Sequence, residues 1–177
     1  MTQMKKILVP IDFSKSSGSA VRFAFSLARE NYADLIVLHV AWKFQAWKIC
    51  DDATFLDPRL YAWEAGRVVR EAASELNRFL GKYLEEARYV CNVSRRVVFG
   101  GVVEKIIETA EKEQVDLIVM APRRHGVWKR LLLGSVTQDV TGSAPCPVLA
   151  ISAPKLHRPW PGRYLPSVGG IPRGSEA

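Results

Sequence analysis

The sequence of 177 residues lacks any apolar run that approaches the ~20 residues needed for a membrane-spanning helix. Its first six residues do not combine a basic start with an apolar stretch, so we expect no secretion signal there. The three cysteines, Cys50, Cys91 and Cys146, are an odd number at wide spacing. This pattern is neither a disulfide framework nor a zinc site, and we interpret all three as reduced. These absences favour a single-domain cytoplasmic protein without a membrane anchor.

Motifs of catalysis are also missing. The sequence contains no Ser-His-Asp spacing, no cluster of metal-ligating residues, no Walker loop and no dinucleotide fingerprint. Of its three histidines, we expect His39 to be a satisfied residue at the end of a strand and His125 to be an exposed loop residue. We therefore predict that the protein is not an enzyme and holds no metal ion.

Positive charge is concentrated in two places, within a net charge of +7. The segment from 154 onward has a surplus of three positive charges, and its prolines and glycines indicate a loosely attached extension. The second concentration lies in a predicted loop and consists of Arg123, Arg124, His125, Lys129 and Arg130. Arginines there are suited to phosphate in bidentate geometry, and the alternative interpretation is a set of solvated loop charges.

Apolar runs alternate with amphipathic stretches along the chain. This alternation predicts right-handed crossovers and a parallel sheet with helices on both faces. Residues 41–60 have no clean period, and we interpret them as a partly ordered insertion within a domain covering 1–153, followed by an extension at 154–177. The predicted strands are 6–11, 35–40, 92–99, 116–121 and 148–151, and the predicted helices are 16–29, 61–89, 102–112 and one that begins at 134–135.

Four segments carry a resemblance to a known family. They are K-K-I-L-V-P-I-D-F-S (5–14), A-D-L-I-V-L-H-V (33–40), D-L-I-V-M with a later G-S (116–135) and A-P-C-P-V-L (144–149). Over roughly residues 4–152 the chain resembles the universal stress protein family. The resemblance implies an adenine nucleotide alpha hydrolase-like, Rossmann-like α/β fold, with a five-stranded parallel sheet in the order 3-2-1-4-5. It also implies a homodimer that pairs through the edge strand from Val148 to Ile151.

The same resemblance implies a nucleotide site where the strand order reverses, with ATP as the cofactor. By similarity Asp12 meets the ribose or adenine, Val40 meets the adenine through its backbone, and Gly134, Ser135 and Val136 meet the phosphates. The family's two loop glycines fall at Ala121 and Arg124, so the loop needs Gly126 or its basic side chains to replace them. The full set of candidate residues is Pro10, Asp12, Val40, Met120, Ala121, Arg123, Arg124, Gly126, Gly134, Ser135 and Val136.

Three functions remain as hypotheses. The first is a non-catalytic, homodimeric stress-response protein with weak or altered nucleotide binding, which acts through contacts with an unknown protein partner. The second is a nucleotide switch that binds ATP or another phosphorylated small molecule and hydrolyses ATP slowly. The third is nucleic-acid binding through the basic loop and tail, which ranks last because no recognition helix or aromatic base platform supports it.

Overall fold

Alternating strands and helices form the chain in the predicted order. The computed structural model describes residues 4–42, 58–83, 87–88, 90, 92–122 and 135–151. The strands are β1 (Lys6–Ile11), β2 (Asp34–Ala41), β3 (Val93–Phe99), β4 (Leu117–Met120) and β5 (Val148–Ala150). The helices are α1 (Lys15–Asn31), α2 (Pro58–Gly81), α3 (Val102–Lys112) and α4 (Ser135–Ser143). Within the described ranges, no helix has the length and apolar content needed to cross a bilayer.

The five strands form one parallel sheet in the order β3-β2-β1-β4-β5, which confirms the predicted fold. β1 pairs with β2 along its whole length, from Lys6 opposite Asp34 to Ile11 opposite His39. β3 and β5 are the edge strands of the sheet. Among the described residues, each of them pairs with one strand on one side only. The strand order reverses at β1, so the crevice between β1 and β4 is the topological switch point.

Helices cover the two faces of the sheet, and each face has its own core. Alternate residues of β1 and β2 point to opposite faces, which is why these strands read as continuous apolar runs. Ile7 and Val9 pack with α1 and α2 through buried residues such as Phe25 and Leu76. Leu8 packs on the other face with residues of β2, α3, β4 and α4, which include Ile36, Leu38, Ile106, Ile118 and Val140.

The predicted bounds of the long crossover helix were wrong. We expected 61–89, but α2 begins at Pro58 and ends at Gly81. A proline suits the first turn of a helix, because the N–H groups there have no acceptor within the helix. The helix therefore includes 58–60, the last three residues that we assigned to the insertion. Ala41, at the other end of that insertion, belongs to β2. Its remaining residues 43–57 and the predicted extension lie outside the described residues.

The amino ends of the strands are held by polar contacts. Asp116 Oδ2, just before β4, accepts hydrogen bonds from the backbone N–H of Lys5 at 2.7 Å and of Lys6 at 2.8 Å. Glu113, just after α3, forms ion pairs with Lys6 at 3.3 Å and with Arg96 of β3 at 2.7 Å. The pKa of the Glu113 carboxyl lies below its ordinary value, chiefly because of the hydrogen bond from Arg96 and further because of Lys6. These contacts connect three elements at the end of the sheet opposite the crevice.

Candidate functional site

A crevice opens where β1 and β4 end. Their ladder contains Ile7 opposite Leu117 and Leu8 opposite Ile118, whereas β1 continues to pair with β2 as far as Ile11. Pro10 lies beyond the last β1–β4 pair, and proline has no N–H with which to extend that ladder. In open parallel sheets, ligands bind in such a crevice beyond the carboxyl ends of the strands. The fold therefore places Pro10 and the turn after β1 on one wall of this crevice.

The turn between β1 and α1 is held by short hydrogen bonds around Asp12. Its Oδ1 accepts from the Ser14 backbone N–H at 3.1 Å and from the Ser17 Oγ at 2.5 Å, while its own N–H donates to Ser17 Oγ at 3.1 Å. Ser14 is the N-cap of α1, and its Oγ accepts from the Ser17 N–H at 3.2 Å. Ser14 therefore caps the start of α1. One carboxylate oxygen of Asp12 is committed to the turn, which orients the group before any ligand arrives.

Phe13 adopts an unusual conformation within this turn. Its φ is +61°, in the left-handed region that a bulky side chain rarely occupies and that costs on the order of 1–3 kcal/mol. The ring lies against His39, with centroids 4.2 Å apart and planes inclined by 30°, and meets the edge of Phe79 at 5.7 Å. These ring contacts help to offset the backbone strain. The sequence gives no signal for this conformation, because no glycine or asparagine marks the position.

His39 lies on β2 behind the turn and is only 5% exposed. Its Nδ1 lies 3.0 Å from the carbonyl oxygen of Ile11, so Nδ1 must carry the hydrogen and donate it. Its Nε2 is buried and has no hydrogen-bond partner among the described residues. The expectation of a satisfied histidine therefore holds for Nδ1 and is not met for Nε2 within the described part of the chain. Burial lowers the pKa of the imidazole, against the opposing effects of the Ile11 bond and of the Glu75 and Asp12 charges.

Val40 and Met120 lie on the other side of the sheet from His39. Val40 is 7% exposed and Met120 is 6% exposed, and both pack in the core beneath α3 and α4. Ala121 follows Met120 and is half-buried against the core on the α1 and α2 side. Its φ is not positive: among the described non-glycine residues, only Phe13, Tyr32 and Gln114 have positive φ. Alanine is therefore accommodated at the first loop position without left-handed strain.

Of the residues predicted to meet the phosphates, the structure describes those at the start of α4. Ser135 is the first residue of this helix and is exposed, and Val136 packs against the core. The first backbone N–H groups of a helix have no intrahelical acceptor, and the helix dipole is positive there. Arg123, Arg124, Gly126 and Gly134 lie outside the described residues, so their place at the site stays a prediction.

The strand order and the helices on both faces define an α/β protein of the doubly wound type. The sequence model of the Universal stress protein family matches residues 4–152. A universal stress protein of Methanocaldococcus jannaschii is 31% identical over 153 residues, covering 85% of this chain and 84% of that protein. The chain belongs to the universal stress protein family.

Solved structures agree with this assignment at the level of the fold. UspA from Lactobacillus plantarum has a TM-score of 0.66 at 24% identity, covering 85% of this chain and 99% of that chain. A universal stress protein solved with cAMP has a TM-score of 0.57 at 22% identity, covering 86% of this chain and 100% of its own. One from Archaeoglobus fulgidus solved with dAMP has a TM-score of 0.51 at 19% identity, covering 85% of this chain and 99% of its own.

Proposed function

We propose that this chain is a non-catalytic universal stress protein that binds an adenine nucleotide weakly or in an altered way and acts in the stress response through protein contacts. The observation that carries the nucleotide part is the crevice itself, with the oriented Asp12 carboxylate on one wall and Met120 and Ala121 at the end of the other strand. Two structural neighbours hold cAMP and dAMP, which share an adenine, a sugar and one phosphate. Those shared groups match the roles inferred for Asp12, Val40 and the start of α4.

The nucleotide switch is the second candidate, and Ala121 favours it. The family has a glycine at this position, which lets the backbone approach phosphate closely. Backbone strain at Ala121 would argue against a similar approach of this chain to phosphate. Ala121 does not have positive φ, so the chain passes this position without left-handed strain. In this candidate ATP binding is saturable. The ATP phosphates are contacted by a charged side chain of the basic loop, which is Arg123, Arg124, Lys129 or Arg130.

Native mass spectrometry tests the nucleotide part directly. The protein is purified without added nucleotide, measured, and measured again after titration with ATP and with AMP. Weak or altered binding predicts little retained mass and low occupancy on titration, whereas the switch predicts saturable ATP binding. A chain that stays empty at millimolar ATP and AMP would contradict both candidates and turn the search to partner proteins.

Paired variants locate any binding that is found. Ser135→Ala removes a hydroxyl at the start of α4, and Ser143→Ala removes one at the end of the same helix. We expect the first variant to weaken nucleotide binding and the second to leave it unchanged. Arg124→Glu should also weaken binding if the basic loop contacts phosphate. Equal affinities for Ser135→Ala and Ser143→Ala would place the nucleotide elsewhere.

The homodimer is proposed to pair through the edge strand β5, which spans Val148–Ala150 rather than the expected Val148 to Ile151. Leu149 on this strand is 37% exposed. The outer edge of β5 has no partner strand among the described residues. Leu149→Asp should convert the dimer into a monomer in sedimentation experiments, because a charge would have to be desolvated at the interface. Trp63→Ser, on the exposed face of α2, is the control and should leave the mass unchanged. A wild-type monomer at micromolar concentration would end this part of the proposal.

A further inference from the structure

His39 holds the β1–α1 turn from outside the turn. The contacts around Asp12 described above are local, since Ser14 and Ser17 are close to it in sequence. His39 is 28 residues away from Ile11 and makes two contacts, the Nδ1 hydrogen bond to the Ile11 carbonyl and the ring contact with Phe13. These contacts lie on both sides of Asp12 in the sequence. The histidine therefore restrains the residue before and the residue after the carboxylate.

We propose that His39 is the positioning residue that sets the turn carrying Asp12 for nucleotide binding, through its Nδ1–H to Ile11 and its ring against Phe13. The inference rests on the proposed function. Phe13 is strained at φ +61°, so the turn keeps this conformation only while neighbouring contacts outweigh the strain. The His39 ring supplies one of those contacts. Loss of both contacts, the hydrogen bond to Ile11 and the ring against Phe13, lets Phe13 relax and moves the adjacent Asp12 carboxylate away from the ribose or adenine.

The ionisation of the ring distinguishes this role from ordinary packing. Nε2 is buried without a partner among the described residues, so a proton there would be a buried donor without an acceptor. The charged groups that act on the ring are Glu75 of α2 and Asp12 after β1, and both favour the protonated form. Burial outweighs them and keeps the pKa below its ordinary value. The neighbours in register on β1 and β3, Ile11 and Val97, carry no charge.

Three substitutions at His39 separate the hydrogen bond from the volume of the ring. The amide of Asn places its N–H near the position of Nδ1, whereas that of Gln places it near the position of Nε2. We expect His39→Leu and His39→Gln to weaken ATP binding by about fivefold to tenfold, the effect of one lost hydrogen bond. His39→Asn should bind ATP within about twofold of the wild type. Isothermal titration calorimetry at pH 7.5 measures all four proteins.

Val37→Ala is the matched control for a loss of core packing. Val37 lies two residues before His39 on the same strand and face, and it is fully buried. This variant should lose stability in a thermal melt and keep its ATP affinity. If Val37→Ala weakens binding as much as His39→Leu, or if His39→Leu binds like the wild type, the positioning role is overturned.

The pH profile supplies the second readout. As pH falls from 7.5 through the lowered pKa of the ring, the wild type should lose ATP affinity relative to His39→Asn, because only the wild type has a ring that takes up a proton. The ratio of the two dissociation constants removes the titration of the phosphates themselves. A constant ratio over this range would contradict the proposal.

NMR of the nucleotide-free protein separates failure of this inference from failure of the proposed function. The ring nitrogens of His39 should report the Nδ1–H form at pH 7.5, and the amide signals of Asp12, Ser14 and Ser17 should titrate with the ring. If the wild type does not bind ATP or AMP, the proposed function fails, and these signals alone decide the positioning role. Amide signals that ignore the ionisation of His39 would overturn it, and this experiment needs no variant to fold.

Discussion

The amino end of the sheet is tied together by satisfied polar contacts, while the carboxyl end contains a buried atom without a partner among the described residues and a left-handed phenylalanine that does not end a helix. At the amino end, Asp116 accepts hydrogen bonds from two backbone N–H groups, and Glu113 forms ion pairs with the side chains of Lys6 and Arg96. At the carboxyl end, Phe13 has left-handed backbone before a helix, and His39 Nε2 has no hydrogen-bond partner among the described residues. The left-handed residues at the amino end, Tyr32 and Gln114, follow the ends of α1 and α3, where such a conformation is common. Departures from low-energy geometry concentrate at functional sites when the surrounding structure is stable enough to hold them. The difference indicates that one end supplies stability and the other supplies the site.

Removal of the Asp116 carboxylate should have the largest effect on stability. Asp116→Ala leaves the Lys5 and Lys6 N–H groups without this acceptor, and we expect a loss of about 2 kcal/mol in the free energy of unfolding. Urea denaturation measures the loss, and Asp139→Ala, an exposed carboxylate on α4, is the control. ATP binding should be unchanged in both variants. A loss of affinity in Asp116→Ala would contradict the separation of the two ends.

Gly18 should be the most sensitive small residue at the carboxyl end. A Cβ added at this position, in the first turns of α1, meets the Tyr83 hydroxyl oxygen too closely to be accommodated without movement. Overpacking costs about 1–3 kcal/mol, and the helix propensity of alanine returns up to about 1 kcal/mol, so Gly18→Ala should lose about 1–2 kcal/mol. In a Tyr83→Phe background the obstructing oxygen is gone, and the same change should be neutral or stabilising. An equal loss in both backgrounds would show that the hydroxyl is not the cause.

The buried imidazole should make stability depend on pH. Because burial lowers the pKa of His39 below its ordinary value of 6.5, the unfolded chain takes up this proton at a higher pH than the folded chain. The contribution of His39 is therefore complete above about pH 6.5 and is lost as pH falls below it. Urea denaturation at pH 7.5 and 5.5 should give a larger decrease for the wild type than for His39→Asn. Equal decreases would show that the ring is free to ionise in the fold.

The Glu113 ion pairs should have the smallest effect. Partly exposed pairs contribute little, so Glu113→Gln should lose about 0.5 kcal/mol, and the loss should shrink as salt is added. Because the pKa of this carboxyl is lowered, its contribution is present above its ordinary value of 4.5 and disappears as pH falls below that value. Comparison of the two proteins at low and high salt measures the difference. A loss of several kcal/mol would mean that these pairs anchor the amino end more strongly than Asp116.

Most of the fold could be predicted because local patterns identify buried surfaces. The apolar runs of β1 and β2 read as strands covered on both faces, and the serines before α1 read as its cap. The start of α2 was missed because the apolar period of the helix becomes clear only after the proline that begins it. At the site, Asp12 and Val40 were identified from family motifs rather than from any chemical feature of their own.

Phe13 and His39 show where prediction from sequence stopped. Nothing in I-D-F-S indicates left-handed backbone at the phenylalanine, and nothing in L-H-V indicates which ring nitrogen finds a partner. Both properties depend on contacts between β2 and the chain around the end of β1: the His39 ring lies against Phe13, and its Nδ1 donates to the Ile11 carbonyl. The same holds for Gly18 and Tyr83, which meet only because α1 and α2 pack on one face.

The sequence by itself determined the alternation of strands and helices and the faces they bury, and its motifs carried the family resemblance that implied the order of the sheet. The periodicity of side chains along a strand or helix is a local property, and it decides which side is apolar whatever that side later meets. The tertiary structure alone decided that β1 and β4 part beyond Leu8 and that His39 reaches the turn after β1. Those features arise from distant segments that come together only on folding, when each packed residue limits the conformations left to its neighbours.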